Sequence, residues 1–321
     1  MFIYRMKLRI LLSLLSIFSV TRCSVSPLSY GWTFAFDTHV LTRIYKNNQE
    51  DKIEDLKRIF AHLDKLTDNY QQRDVNNIYT INNTNESVTV DPDLYHLLEL
   101  TFSHDLDSLS YFNPLCGSLS KKWKESLEKE EILSDEIIAQ ELSKMNNTHL
   151  EFLGNNTVKR VGEAEIDLGA VAKGYALDKA KEYFNEKNIS GYLIDGGHSS
   201  ILAGEGPLGR KLKIRLNDAK YYVELKNCFI STSAYTEQYK TINDVIYSHI
   251  INPKDGSAVS LHKEVIVISD LGYLGDILST AFINESIDSI KELEKQFSVK
   301  TIVFDELWKP AYQSDGVEFL R

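Results

Sequence analysis

The sequence predicts a mixed α/β (α+β) fold with two intimately packed lobes and a cleft between them. Apolar residues recur at helical spacing in the first half, as at Ile53, Leu56 and Phe60. From residue 151 onward, short β-branched and aromatic runs dominate, with helical patterns between them. The chain has 321 residues, 43% hydrophobic and 26% charged, so it can bury a substantial globular core.

The first half predicts one strand followed by three helices. The β-rich run at residues 32–45 predicts the strand, and the periodic pattern at 51–66 predicts the first helix. A second helix is predicted at 92–106, where Pro92 suits the first turn, and a third at 119–129. Residues 130–150 are highly charged and predict a variable surface excursion.

The second half predicts short strands with helices at its start and end. No internal repeat is apparent along the chain. The predicted strands cover residues 191–195, 211–216, 221–225, 229–232, 245–251, 265–269 and 300–304, and the predicted helices cover 170–187, 274–284 and 286–297.

Residues 1–22 have the layout of a secretory signal. Three cations, Arg5, Lys7 and Arg9, precede an apolar run at 10–20 that is too short to span a bilayer. Cys23 stands where a bacterial lipoprotein keeps its lipidated cysteine, but Arg22 replaces the usual small residue. We therefore expect export to the bacterial cell envelope, as a periplasmic or membrane-anchored lipoprotein, with residues 23–321 as one domain. Lipidation of Cys23 stays open.

Charge and cysteine content exclude several classes of partner. The net charge is −10, and loss of residues 1–22 would remove four cations and no acids. Such an acidic body argues against nucleic acid as a partner. Cys116 and Cys228 lack the spacing of zinc ligands, so they form either one disulfide or two buried free thiols.

Residues 165–178 form the segment most suggestive of chemistry. An acidic strand is predicted to turn at Gly169 into a helix, whose first amides and dipole favour an anion. Lys173, one turn into that helix, could add a point charge to a phosphate. A purely structural turn is the alternative, because the spacing matches neither a P-loop nor a dinucleotide fingerprint.

Two later segments offer a proton acceptor and a metal site. His249 opens an apolar stretch before a Pro/Gly turn and could titrate near neutrality, although a lone histidine beside apolar residues is more often structural. Asp276 and Thr280 are four residues apart in a predicted helix, so their oxygens face one way. They suit Mg²⁺, and the alternative is an acidic residue that favours the helix dipole.

In this order the segments resemble the ApbE family of FAD:protein FMN transferases. Residues 166–178 are similar to that family's strand-to-helix signature, and residues 195–197, 231–233 and 249–256 are similar to its later motifs. The resemblance covers residues 32–310 and implies an ApbE/T-fold-like flavin transferase fold. Asn252 and Asp255 depart from the Asp and Thr usual in the family.

The resemblance also implies roles for individual residues. Asp276, Thr280 and the main-chain oxygen of Ala172 would hold Mg²⁺, and His249 would lie near the reacting phosphate. Cofactor-binding roles would fall to Lys173 at the pyrophosphate and to other residues along the flavin nucleotide cleft: Asp178, Gly196, Gly197 and Thr232.

The implied activity is transfer of FMN from FAD to a Thr or Ser of an acceptor protein, with release of AMP. The acceptor would be another protein, such as a membrane redox subunit. Two other functions share the same residues: FAD pyrophosphatase activity, in which water replaces the acceptor hydroxyl, and an FAD-binding lipoprotein without turnover.

Overall fold

The computed structural model describes residues 29–216 and 221–320 and confirms the mixed helix-and-sheet class. The predicted signal, residues 1–22, and Cys23 lie outside the described residues. Within the described part of the chain, Cys116 and Cys228 are free thiols. No helix of that part is long and apolar enough to cross a membrane.

The centre of the molecule is an eight-stranded sheet in which all neighbouring strands are antiparallel. Across the sheet, its strands are β1 (Ser29–Ala35), β2 (Thr38–Ile44), β6 (Tyr192–Gly196), β7 (Ser200–Ala203), β10 (Cys228–Ala234), β13 (Glu264–Ser269), β14 (Lys300–Phe304) and β15 (Pro310–Gln313). The remaining strands form smaller sheets: β3 (Val88–Thr89), β5 (Thr157–Val161) and β4 (His149–Gly154); β8 (Leu212–Leu216) and β9 (Tyr221–Leu225); and β11 (Tyr239–Ile242) and β12 (Val245–Ser248).

The helices include all of those predicted, with small shifts of their ends. They are α1 (Glu50–Thr67), α2 (Ile78–Asn82), α3 (Pro92–Thr101), α4 (Gly117–Glu128), α5 (Asp135–Asn146), α6 (Ala172–Glu186), α7 (Gly272–Phe282) and α8 (Ile287–Phe297). The helix predicted at 92–106 ends early because Phe102 caps α3 and Ser103 starts a separate 3₁₀ turn.

Three predictions about local structure were wrong. Residues 32–45 form the hairpin β1–β2, because Phe36 and Asp37 both adopt positive φ and reverse the chain. Residues 130–150 contain α5, which Ser134 caps and which buries Met145. The acidic stretch before Gly169 is extended but belongs to no sheet, because its partners include the Asn82 side chain rather than a strand.

The two faces of the main sheet bury different cores. Alternate residues of a strand point to opposite faces, so Phe229 of β10 joins the large core that also contains helix residues such as Phe60 and Leu177. Ile230, the next residue, packs on the other side with Val223 of the β8–β9 hairpin. Helices α6 and α7 therefore share one face of the sheet, which is where the candidate site forms.

Helices α6 and α7 cross at two glycines, Gly174 and Gly272. A Cβ atom on either glycine would overlap the carbonyl oxygen of the other, so only hydrogen fits at both positions. This close approach brings the N-terminal turn of each helix against the body of its neighbour.

We predict that Gly174→Ala lowers the free energy of unfolding by about 3 kcal/mol, because the methyl group must separate two backbones. The clash outweighs the gain of about 1 kcal/mol that alanine brings to a helix interior. Urea unfolding of both proteins checks this.

Gly191→Ala is the matched control, since its added Cβ would meet Tyr45 at an ordinary 3.5 Å. We expect it to change stability by less than about 1 kcal/mol. Equal effects of the two substitutions would contradict the importance of the crossing.

Candidate active site

Asp276 of α7 lies at the centre of the candidate site and is only 6% exposed. Its Oδ1 accepts hydrogen bonds from the hydroxyls of Ser200, at 2.9 Å, and Ser231, at 2.6 Å. Its Oδ2 accepts the backbone amide of Gly174 at 2.7 Å. Burial raises the pKa of Asp276, and the Lys173 charge and these donors oppose that shift. The donors favour the ionised carboxylate, which is the form that binds a cation.

Thr280 lies one turn after Asp276, as the spacing predicted. Its hydroxyl faces strand β10, which also carries Ser231. Its Oγ1 is 3.3 Å from the Oγ of Ser233, which also contacts the Oγ of Ser279 at 2.9 Å. Ser231 and Ser233 are alternate residues of β10, so both point at α7. The strand thus lines the helix with hydroxyl groups, and both serines belong to the 231–233 motif of the sequence.

The Ala170 carbonyl lacks its usual helical partner, whereas the metal role predicted for the main-chain oxygen of Ala172 stays a prediction. Ala172 lies inside α6, where the helical ladder engages its carbonyl. The amide of Gly174 would normally bond to the carbonyl of Ala170, four residues back, but it donates to Asp276 instead. The Ala170 carbonyl is therefore released at the helix start. With Asp276 and Thr280 it makes a set of hard oxygen donors that fits Mg²⁺.

The start of α6 offers fewer amides to a phosphate than predicted. The amide of Ala172 bonds to the carbonyl of Leu168, and that of Gly174 bonds to Asp276. The anion at this helix N-terminus is thus the Asp276 carboxylate itself. A phosphate group beside α6 depends chiefly on the side chain of Lys173.

Lys173 is half-buried and its charge reaches three ionisable groups. It opposes the rise in the pKa of Asp276 and of Glu237, both raised by burial, and it contributes to lowering the pKa of His249. It also lines a small cavity with Phe36 of the first hairpin and Gly196 at the end of β6. The structure therefore brings together Lys173, Asp276 and His249, which are far apart in sequence.

His249 is held in one tautomer by the chain before it. Its Nδ1 lies 3.3 Å from the carbonyl oxygen of Gln238, which also accepts its backbone amide at 3.1 Å. Because a carbonyl only accepts, Nδ1 carries the proton and Nε2 keeps a lone pair. The ring is reachable from solvent, yet the protein around it desolvates it, and this burial lowers its pKa below the usual range. His249 is thus a neutral proton acceptor at neutral pH.

The double glycine at residues 196–197 forms a turn at the end of β6. Gly197 has φ +70°, and an added Cβ would overlap Thr38, so the turn lies directly against the first hairpin. Asp195 closes the turn by accepting the amide of His198 at 2.7 Å. Thr232 donates its amide to this turn, but strand alternation puts its side chain on the face away from Asp276. Its predicted place in the flavin cleft stays a prediction, as do those of Gly196 and Gly197.

Asp178 supports the start of α7, and its predicted place in the flavin nucleotide cleft stays a prediction. Its two carboxylate oxygens accept the amides of Gly272, at 2.7 Å, and Tyr273, at 2.8 Å, which begin that helix. Asp276 does the same for α6, so each helix is capped by a carboxylate of the other. Both carboxylates follow a Gly-Tyr pair by the same spacing, in residues 174–178 and 272–276. This repeated Gly-Tyr-x-x-Asp pattern is the signal in the sequence from which the paired caps could have been predicted.

Another group of possible metal ligands lies at the start of α3. His62, Asp91 and Asp93 place ligand atoms within 4.8 Å of one another. Asp91 caps the helix by accepting the amide of Asp93, and Asp93 pairs with Lys179 at 2.9 Å. Both carboxylates are thus already engaged, and we assign this group a structural role.

Comparisons with known proteins identify the family. The model of the ApbE family matches residues 36–303, which is most of the chain. The chain belongs to the ApbE family. The FAD:protein FMN transferase of Chlamydia pneumoniae is 24% identical over 259 residues, covering 78% of this chain and 82% of that protein. The protein of the same name from Chlamydia muridarum is 25% identical over 209 residues, covering 63% and 65%.

Solved structures of ApbE proteins share the fold. The ApbE protein of Thermotoga maritima has a TM-score of 0.78 at 23% identity, covering 89% of this chain and 97% of that one. The flavin transferase ApbE of Vibrio cholerae has a TM-score of 0.73 at 16% identity, covering 89% and 97%.

In this ApbE-family chain, the two departures near His249 compensate each other. Asn252 Nδ2 donates to Asp255 at 3.0 Å, and Asp255 accepts the amide of Ser257 at 2.8 Å. The indole of Trp123 donates to the carbonyl of Gly256 at 2.7 Å. The turn after His249 is therefore closed by its own side chains and anchored to α4.

We predict a pH-dependent contribution of Asp178 to stability. Burial raises its pKa to about 6 in the folded protein, and its two amide partners limit that rise. Because the folded pKa exceeds the ordinary aspartate pKa of 3.8, this contribution is full below that pH and is lost as pH rises through about 6. Relative to Asp178→Asn, which does not titrate, wild-type stability should fall by roughly 2 kcal/mol between pH 4 and 7. Urea unfolding across that range measures the difference, and a constant difference would contradict the prediction.

Proposed function

We propose that the protein is an FAD:protein FMN transferase that depends on Mg²⁺. The observation that carries this proposal is the proximity of Lys173 to both Asp276 and His249, since its charge acts on the pKa of each. A half-buried cation, a hard oxygen set and a neutral imidazole are what transfer from a pyrophosphate requires. The names of the relatives in Chlamydia, FAD:protein FMN transferase, support the same activity.

The protein's residues divide the work as follows. Asp276, Thr280 and the Ala170 carbonyl would hold Mg²⁺, which when bound neutralises charge on the pyrophosphate. Lys173 binds the same phosphates with a point charge. His249 accepts, at Nε2, the proton of a Thr or Ser hydroxyl of the acceptor protein. Because Nδ1 is tied to Gln238, the ring meets the substrate with its basic nitrogen.

The proposed step forms one bond and breaks one. The acceptor oxygen bonds to the phosphorus on the flavin side of FAD, and the bond from that phosphorus to the bridging oxygen breaks. The bridging oxygen leaves with AMP, and FMN stays on the acceptor through a phosphoester. If water took the acceptor's place, the same residues would make an FAD pyrophosphatase, and without turnover the chain would be an FAD-binding protein.

The place of action is part of the proposal. The basic and apolar layout of residues 1–22 supports export to the bacterial cell envelope, with Cys23 as a candidate lipid anchor. An acceptor in that compartment would be a protein such as a membrane redox subunit. Incubation with FAD, Mg²⁺ and candidate exported proteins, followed by mass measurement of each, tests the activity. Release of FMN and AMP without an acceptor, or retention of FAD without AMP, would favour the two other functions.

We predict that Asp276→Asn lowers Mg²⁺-dependent labelling of the acceptor at least about 100-fold, because the isosteric amide removes the charged metal ligand. The labelled acceptor is quantified by flavin fluorescence. Asp288→Ala is the control, since this exposed carboxylate lies on α8 and forms an ion pair with Lys291. Full labelling by Asp276→Asn would refute the metal assignment.

We predict that the acid limb of kcat/KM lies below pH 6.5, because burial lowers the pKa of His249. The rate should be flat through neutral pH and fall as the imidazole gains a proton. His249→Gln should lower the rate by about 10²–10⁴-fold and abolish that limb. His104→Gln, at a fully exposed ring, is the control. An unchanged acid limb in His249→Gln would exclude His249 as the base.

A further inference from the structure

In the described part of the chain, the eight-stranded sheet has one protected edge and one open edge. At the protected edge, β15 is only four residues long, begins with Pro310 and follows a register shift between Val303 and Phe304. Short strands, prolines and bulges are the features that keep an edge from pairing. At the other edge, β1 has seven residues with neither charge nor proline, and among the described residues it pairs only with β2.

The backbone of β1 offers unpaired groups at alternate residues. The two-residue turn of Phe36 and Asp37, with φ of 53° and 56°, makes Ala35 and Thr38 a hydrogen-bonded pair. Counting back along the strand, Gly31 and Thr33 also bond to β2. The amides and carbonyls of Tyr30, Trp32 and Phe34 therefore point away from the sheet.

The same three residues carry an exposed aromatic stripe. Tyr30 is 66% exposed, Trp32 37% and Phe34 63%, and alternation puts all three on one face. The His39 ring packs edge-on against Trp32 and Phe34, at 6.5 and 5.3 Å between ring centroids. Gly31 faces the other way, onto Ile53 of α1. An exposed apolar stripe of this kind marks an interaction surface.

The stripe ends at the candidate active site. Phe36, which follows β1, lines the same small cavity as Lys173 and Gly196. Thr38, at the start of β2, packs against Gly197 of the double-glycine turn. A segment lying along β1 would thus leave the strand beside the cleft.

We propose that the open edge of β1 is the docking site for the acceptor protein. An extended acceptor segment with apolar side chains at alternate positions adds to the sheet as a further strand. Its backbone bonds to Tyr30, Trp32 and Phe34, and its apolar side chains pack on the aromatic stripe. The Thr or Ser hydroxyl that follows is delivered to the side of Lys173 and His249. This inference rests on the proposed function, because it names how that activity recognises its protein substrate.

The test compares two substitutions at one residue. Trp32→Ala removes the ring alone, and Trp32→Pro removes the ring and the outward amide. The probe is a synthetic peptide copied from the labelled region of an exported redox-subunit domain that the wild-type protein labels. We expect KM for this peptide to rise about threefold in Trp32→Ala and about tenfold more in Trp32→Pro, as expected for one lost hydrogen bond. The kcat and the KM for FAD should stay unchanged.

Controls separate docking from folding and from other partners. Leu307→Ala, at an apolar residue 72% exposed near the protected edge, should leave the peptide KM unchanged. Circular dichroism and FAD binding verify that each variant folds, and Phe34→Lys provides a second substitution with an intact amide. Equal KM values for Trp32→Ala and Trp32→Pro would overturn strand addition.

Two further outcomes also decide the matter. The Trp32 variants could lose binding to vesicles of phosphatidylglycerol and phosphatidylethanolamine while their KM for the peptide stays unchanged. That result would assign the aromatic stripe to binding of a lipid surface and would overturn the proposal. Absence of any labelled protein with the wild type would refute the proposed function itself. A different result, in which the variants label the acceptor with an unaltered KM for the peptide, would refute only the docking site on β1.

Discussion

The reciprocal capping of α6 and α7 is the constraint on which the site depends. Gly174 and Gly272 let the two helices touch, and each then receives at its N-terminus a carboxylate from the other. Buried carboxylates cost solvation free energy, which backbone amides and the positive helix ends offset. The arrangement fixes Asp276 to within hydrogen-bond distance of a neighbouring helix. It also frees the Ala170 carbonyl, because the amide that would bind it is used elsewhere.

The same geometry explains how the site holds the Lys173 cation near the Asp276 carboxylate without a direct ion pair between them. Lys173 lies one residue before the amide that Asp276 accepts, so the lysine charge acts on the carboxylate, and among the described residues the two form no ion pair. The Asp276 oxygens are held by Ser200, Ser231 and Gly174 instead. Lys173 therefore stays available for a phosphate, and its charge also helps to keep His249 neutral. The contact between Asp276 and Gly174 therefore fixes the proposed metal ligand beside Lys173, whose charge acts on His249.

Local patterns predicted much of the fold and part of the site. The apolar spacing that gave α1, and the four-residue spacing of Asp276 and Thr280, are properties of a single helix and are visible in sequence. The hairpin at Phe36 and Asp37 was missed because Phe36 is not a typical left-handed turn former and no glycine follows Asp37. Helix α5 was missed because its buried Glu141 looks like a surface charge until Ser118 and Lys144 are seen to bind it. The use of the Gly174 amide joins residues 102 positions apart, which no local pattern reports.

The most direct test of the capping constraint is the affinity for Mg²⁺ in the presence of FAD, measured calorimetrically at pH 7.5 in wild type and Asp178→Asn. Asp178 is not one of the proposed ligands, and it acts on α7 through the amides of Gly272 and Tyr273. If the reciprocal caps position Asp276, the variant should bind Mg²⁺ about tenfold more weakly, as is typical when the support of a metal ligand is lost. Unchanged affinity in a folded variant would contradict the central role of the helix crossing.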